Sequence, residues 1–200
     1  MRVDSLAAQL SQATPTQVSG TWQRHVPFRH ARAALDGRVA IGRWGTGDGF
    51  PVLYLGQPRD SVIVEAYRHL VDPVDDPAIV ATIAPRVLVT ATVGVTEILD
   101  LRTATNRALA ELSMTQLQSP PRDRRAYAAC QNVAAAAHQL GFHGLIAPAA
   151  TGLGHTLALF TDLLPTDEKP TAVAQEAWLQ LPADPRNPGR GQLRIIRDLN

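Results

Sequence analysis

The sequence predicts an α+β fold, a single compact domain spanning residues 1–200 on a mixed β core. Three observations carry that prediction. Apolar runs of strand length and segments of helical spacing are interspersed without a strict strand–helix–strand rhythm. A length of 200 residues suits one domain with a sizeable core. A composition of 45% hydrophobic and 18% charged residues is that of a folded globular chain.

In chain order, Val3 to Ser11 reads as a short amphipathic helix, with Leu6 and Leu10 on one stripe and Pro15 beyond its end. Thr21 to Val26 reads as an extended segment carrying Arg24 and His25. Gly45 to Gly49 is a loop, since Asp48-Gly49 is a turn signal, and it feeds the apolar strand Pro51 to Leu55. Pro58 and Asp60 suit a first helical turn, and Ser61 to Val71 continues it with Val62, Ala66 and Leu70 on one stripe. Ser61, Glu65 and His69 recur every fourth residue and line one helix face as a second stripe.

Arg86 to Val95, rich in Val and Thr, favours a strand, and Ile98 to Leu101 continues the sheet after a bend. Thr103 to Leu112 has helical spacing with Thr103 as a cap, and Gln116 to Asp123, with Pro120-Pro121, reads as a loop. A long alanine-rich helix follows from Arg125 to Leu140, ended by Gly141. Gly144 to Pro148 and Thr156 to Thr161 read as buried strands joined by a small-residue loop, Ala149 to His155. Pro182 to Gly191 is a loop before a last strand at Leu193 to Ile196.

Charge and composition remove several functions. The net charge is +1 and no sustained basic face is evident, so nucleic-acid binding is not expected. Cys130 is the one cysteine, which excludes an internal disulfide and a cysteine-rich zinc site. The six histidines show no ligand spacing, so no metal is expected. With no apolar stretch near membrane-span length and no leader-like N-terminus, the chain reads as cytoplasmic and unanchored. The glycine-rich run Gly45 to Gly49 leads into a strand, not a helix, and so lacks the dipole a phosphate loop uses.

Arg43, Tyr54 and Glu65 follow one another at intervals of eleven residues, set on and around one predicted βα unit. Together they suit cleavage of a dinucleotide such as NAD: the guanidinium grips phosphate, the ring covers a flat base, and the carboxylate steadies a cationic sugar. The plainer alternative is structural, with Arg43 anchoring its loop through Asp48, Tyr54 capping the core and Glu65 on a solvated face. On the long helix, Gln131 and Asn132 are two amides suited to positioning other groups, or to facing solvent.

The ordered blocks Gly42-Arg43-Trp44, Pro51-Val52-Leu53-Tyr54-Leu55 and Val64-Glu65 resemble those of the RES domain. So do Cys130-Gln131-Asn132-Val133, Gly144 to Ala150 and Leu157 to Phe160, and the likeness covers about residues 20 to 162. It implies a core similar to ADP-ribosyltransferases and an NAD-degrading toxin that cleaves the nicotinamide–ribose bond by phosphorolysis or hydrolysis. It also implies an Xre-like antitoxin partner, in a hetero-oligomer, whose C-terminal end blocks the site. By the same resemblance Glu65, Arg43 and Tyr54 are catalytic, and Arg24, His25, Arg43, Tyr54 and Ala128 line the NAD site, with inorganic phosphate as a co-substrate. Glu65 stabilises the oxocarbenium-like state, as in glycosidases, while Arg24 and Arg43 hold pyrophosphate or the attacking phosphate.

The chain departs from the pattern at several points. Ala128 stands where the family has a serine, Ala149 and Ala150 follow Pro148 where a second serine is frequent, Gly45 replaces Asn, and His25 replaces Tyr. Tyr127, Thr151 and Ser61 are candidate replacement hydroxyls. Two alternatives therefore stay open: a protein-directed ADP-ribosyltransferase, and an inactive binding partner that keeps the fold.

Overall fold

A computed structural model describes residues 3–74 and 79–187. The elements are α1 (Val3–Leu10), β1 (Thr16–Pro27), β2 (Val52–Gln57), α2 (Arg59–Leu70), α3 (Ile79–Thr82) and β3 (Arg86–Asp100). Then come α4 (Ala104–Leu109), α5 (Met114–Leu117), α6 (Arg124–Gln139), β4 (Gly144–Pro148), β5 (His155–Phe160) and β6 (Thr171–Trp178). Short 3-10 turns occupy Phe28–Ala33 and Thr166–Glu168.

The strands run β1-β2-β5-β4-β3-β6, and β1 also pairs with β3, so the first five close into a ring with β6 outside it. Only β3 and β4 are parallel; the other pairings are antiparallel, which makes the sheet mixed. The ring closes because β3 serves two neighbours. Its first ten residues pair with β1, while Ile98, Leu99 and Asp100 run beside Gly144, Leu145 and Ile146. Between them Glu97 adopts φ 52°, a left-handed conformation that costs a non-glycine residue roughly 1–2 kcal/mol. The bend is held where the Glu97 carbonyl accepts the His143 N–H at 2.9 Å.

The apolar runs in β2, β4 and β5 are continuous because both faces of these strands are covered. Val52, Leu145, Ala147, Ala158 and Phe160 face α1 and α6. Leu53, Leu55, Ile146, Leu157 and Leu159 face Trp22, Val93 and Val95 of the β1–β3 ribbon. Each fully buried Leu contributes about 1.5–3 kcal/mol. The alanines of α6 shorten its stand-off: Ala126, Cys130, Val133, Ala134 and Ala137 form the buried face, Asp123 caps its start by accepting from the Ala126 N–H, and Gly141 ends it at φ 82°. The other major helix, α2, packs Val62, Ile63 and Ala66 against Leu88 and Trp178.

Three elements depart from expectation, the first being the one-turn helix α3, for which no element was expected between Val71 and Arg86. α5 lies partly inside the segment expected to be a loop, and a capping box between Ser113 and Gln116 starts it. β6 was not expected at all; every residue but Trp178 is exposed, so it carries no burial pattern. The strand expected at Leu193 to Ile196 lies outside the described residues.

Candidate functional site

One end of the ring, α2 and the start of α6 enclose a cleft of about 860 Å³. That volume suits a small-molecule site. Its wall includes Arg24 and His25 from β1, Tyr54 from β2, Ser61, Glu65 and His69 from α2, and Arg124, Tyr127 and Gln131 from α6. The loop ahead of β2 closes it with Gly42, Arg43 and Trp44. The structure thus brings together Arg24, His25, Arg43, Tyr54 and Glu65, and the Ser61–Glu65–His69 face of α2 lines the cleft.

Among the lining residues Glu65 is the one carboxylate, while Arg24, Arg43 and Arg124 supply cations. Burial pushes the Glu65 carboxyl up. Its 2.7 Å hydrogen bond from His69 Nε2, with the charges of His69, Arg68 and Arg43, outweighs that effect and holds it below the ordinary carboxylate value. Glu65 is therefore an anion at neutral pH, in a cleft otherwise suited to anions.

His25 is neutral there. Burial first, then the charge of Arg86, lowers its pKa to about 3. Its Nδ1 accepts the Arg86 Nε–H at 2.7 Å, and the ring stacks on Trp178 with centroids 5.9 Å apart. With Nδ1 accepting, the single ring proton of the neutral imidazole sits on Nε2.

Tyr54 lies in the middle of β2, not at a strand end, and its hydroxyl accepts the Trp44 N–H at 2.9 Å. Burial raises its pKa, so the phenol keeps its proton and can still donate. Gly42 is required beneath it, since a Cβ there would come within 2.7 Å of the Tyr54 hydroxyl. Trp44, 1% exposed, belongs to the core.

Arg43 corrects the expectation in detail. It does not pair with Asp48. Its Nη1 donates to the Gln116 carbonyl at 2.9 Å and to Ser119 Oγ at 3.2 Å, and Nη2 donates to the Ser119 carbonyl at 2.6 Å. The guanidinium lies over the Tyr127 ring, 4.6 Å from its centroid. Arg43 anchors a loop after all, but a loop seventy-odd residues away in sequence. Arg24 is less committed: Nη1 donates to the Ala34 carbonyl at 2.9 Å and to the Asp36 carbonyl at 3.4 Å, and its Nε and Nη2 donors have no partner among the described residues.

Ala128 is also corrected. It is exposed and does not line the cleft, because the cleft-facing side of α6 runs through Arg124, Tyr127 and Gln131. Of the candidate hydroxyls, Tyr127 and Ser61 line the cleft, whereas Thr151 bonds to Ser61 at 2.8 Å from behind it. Arg124 and Gln23 are lining residues that the sequence reasoning missed. For Arg124 a signal existed: it precedes Tyr127 by three residues and Gln131 by seven, the spacing of one helix face.

None of the curated proteins matches this chain. Among solved structures it is similar to a chain in the crystal structure of the M. tuberculosis MbcT–MbcA toxin–antitoxin complex, with a TM-score of 0.72 and 23% identity over 87% of this chain and 92% of that one. At that identity the likeness is one of fold. The RES domain profile matches residues 14–182, from just ahead of β1 to beyond β6, and takes in every cleft residue described above. The chain belongs to the RES-domain family.

Proposed function

We propose that this protein is a toxin-like enzyme that consumes NAD by cleaving the nicotinamide–ribose bond. The observation that carries the reading is Glu65: a lone carboxylate, kept ionised, facing a cleft lined by three arginines. As the C–N bond lengthens, positive charge develops on the ribose and the Glu65 carboxylate stabilises it. Nicotinamide leaves as a neutral molecule, taking the bonding pair, so no strong general acid is required. Arg24 and Arg124, whose donors are the freer ones, hold the pyrophosphate or an attacking inorganic phosphate. Arg43 adds charge from its fixed place over Tyr127. Tyr54 covers the base and His25 offers Nε2–H as a neutral donor. Attack by phosphate yields ADP-ribose phosphate; attack by water yields ADP-ribose.

The fold likeness to a chain of a toxin–antitoxin complex supports a protein antitoxin as partner; the family resemblance makes that partner Xre-like, joined to this chain in a hetero-oligomer. No helix among the described residues is long and apolar enough to cross a membrane, which fits action on cytoplasmic NAD. No group of three or more metal-ligating side chains occurs among the described residues, and the proposed chemistry asks for none.

The test is nicotinamide release by the purified chain, with and without phosphate, beside Glu65→Gln. The variant is expected to fold and to lose at least about 10²–10³ in rate. Equal turnover by folded Glu65→Gln rejects the mechanism. Label from NAD appearing on protein, in place of free ADP-ribose, identifies a transferase instead. Expression in a bacterial host should arrest growth, and Glu65→Gln should relieve the arrest.

A further inference from the structure

The loop that carries Arg43 is held from α6. Gln131 Nε2 donates to the Gly42 carbonyl at 2.8 Å and to the Gly45 carbonyl at 3.0 Å, spending both N–H groups of the amide on one turn. The turn closes on itself where the Gly42 N–H donates to the Gly45 carbonyl at 2.9 Å. From that turn Arg43 reaches the carbonyls of Gln116 and Ser119, which lie in the segment leading into α6. Tyr127, one helical turn before Gln131, lies under the guanidinium. The contacts form a circuit: helix to amide, amide to turn, turn to arginine, arginine back to the segment that starts the helix.

We propose that Gln131 is a positioning residue for the cleft reaction, acting through the Gly42–Gly45 turn to fix Arg43 against the substrate's phosphates. The inference rests on the NAD-cleaving reading. The neighbouring amide, Asn132, is exposed and takes no part. Gln131 is half-buried, absent from the apolar core, and directs both donors to one turn, so its contribution is to placement and not to packing. Removing it takes away both bonds that tie the turn to α6 and leaves the internal Gly42–Gly45 bond, the Trp44–Tyr54 bond and the contacts of Arg43 itself. The protein should fold, with Arg43 displaced.

The experiment compares wild type with Gln131→Met and with Asn132→Ala, reading ADP-ribose affinity by calorimetry, NAD kinetics and the melting temperature. Displacing a positioning group by about 1 Å costs on the order of 10²-fold, so Gln131→Met should weaken ADP-ribose binding and raise KM for NAD by about 10–100-fold. The value of kcat should change by less than about threefold, the pattern expected when binding common to ground and transition states is lost. Asn132→Ala should match wild type. Binding by folded Gln131→Met within about twofold of wild type overturns the proposal. Should that variant not fold, Gln131→Leu, which removes both donors without adding charge to the cleft, carries the same comparison. If wild type binds ADP-ribose without turnover, affinity alone decides. If it binds neither ADP-ribose nor NAD, the parent reading fails first and this one falls with it.

Discussion

Gly42 and Tyr54 should be thermodynamically coupled, and a double-mutant cycle measures by how much. In Gly42→Ala the new Cβ would stand 2.7 Å from the Tyr54 hydroxyl and 3.3 Å from Cζ. The first distance is a collision, and the second is tight but relievable by a small shift. Neither side yields easily, because the turn is held by Gln131 and the half-buried ring packs against the core. Overpacking of this kind costs about 1–3 kcal/mol. Tyr54→Phe carries a separate cost: the Trp44 N–H, in a residue 1% exposed, loses its acceptor, worth about 1–3 kcal/mol. In the Tyr54→Phe background the colliding oxygen is gone, so adding Gly42→Ala should cost no more than about 0.5 kcal/mol. The double variant should therefore be more stable than the sum of the single effects by about 1–2 kcal/mol. Urea unfolding of the four proteins reads this directly. Additivity within about 0.3 kcal/mol would refute the account of why this position is glycine.

Three further outcomes follow from the cleft. His69→Ala removes the hydrogen bond that lowers the Glu65 pKa, so the acid limb of the pH–rate profile should move toward higher pH; a stationary limb means His69 does not set that ionisation. His25, with its pKa lowered to about 3, stays neutral in the native state while the unfolded chain takes up a proton below about pH 6.5. The native state binds fewer protons there, so stability should fall as pH drops, by up to about 1.4 kcal/mol per pH unit from this group. The slope of urea-derived stability between pH 7 and 5 should flatten in His25→Gln, and an unchanged slope counts against a buried neutral imidazole. Ala128→Ser should alter NAD turnover by less than about threefold, since its side chain points away from the cleft; a large gain would show that the family hydroxyl acts from there after all.

What the sequence made legible was whatever burial writes into it. The helices α1, α2 and α6 and the strands β2 to β5 announce themselves because each buries a stripe or a whole run, and Pro58 and Gly141 mark the start of α2 and the end of α6. β6 left no such mark. Exposed on both faces, it is a strand only because the backbone of β3 offers an edge, a tertiary fact invisible to local pattern. α5 was legible in principle, through Ser113 and Gln116 at capping-box spacing, but the prolines that follow dominated the reading. In the site, Glu65 and Tyr54, singled out by residue type and spacing, and Arg24 and His25, singled out by the family resemblance, all line the cleft. They could not show that Arg43 is engaged by carbonyls of a distant loop, nor that Ala128 lies off the cleft-facing side of its helix, because both depend on how α6 is rotated against the sheet.

The pairing of β2 with β5, Val52 opposite Phe160 through Gln57 opposite His155, sets a schedule for the chain's birth. Arg24, Arg43, Tyr54 and Glu65 have all been synthesised by the end of α2, yet β2 has no long partner strand until β5 follows. Tyr127 and Gln131, which seat Arg43, also come late. At about 5–20 residues per second, the roughly 90 residues between α2 and the end of β5 keep a ribosome occupied for about 5–20 s. During that interval the nascent chain carries the charged groups of the site without the cleft that gathers them. Long-range pairing of this kind is slow to form, and here that slowness delays closure of the cleft until nearly the whole domain has emerged.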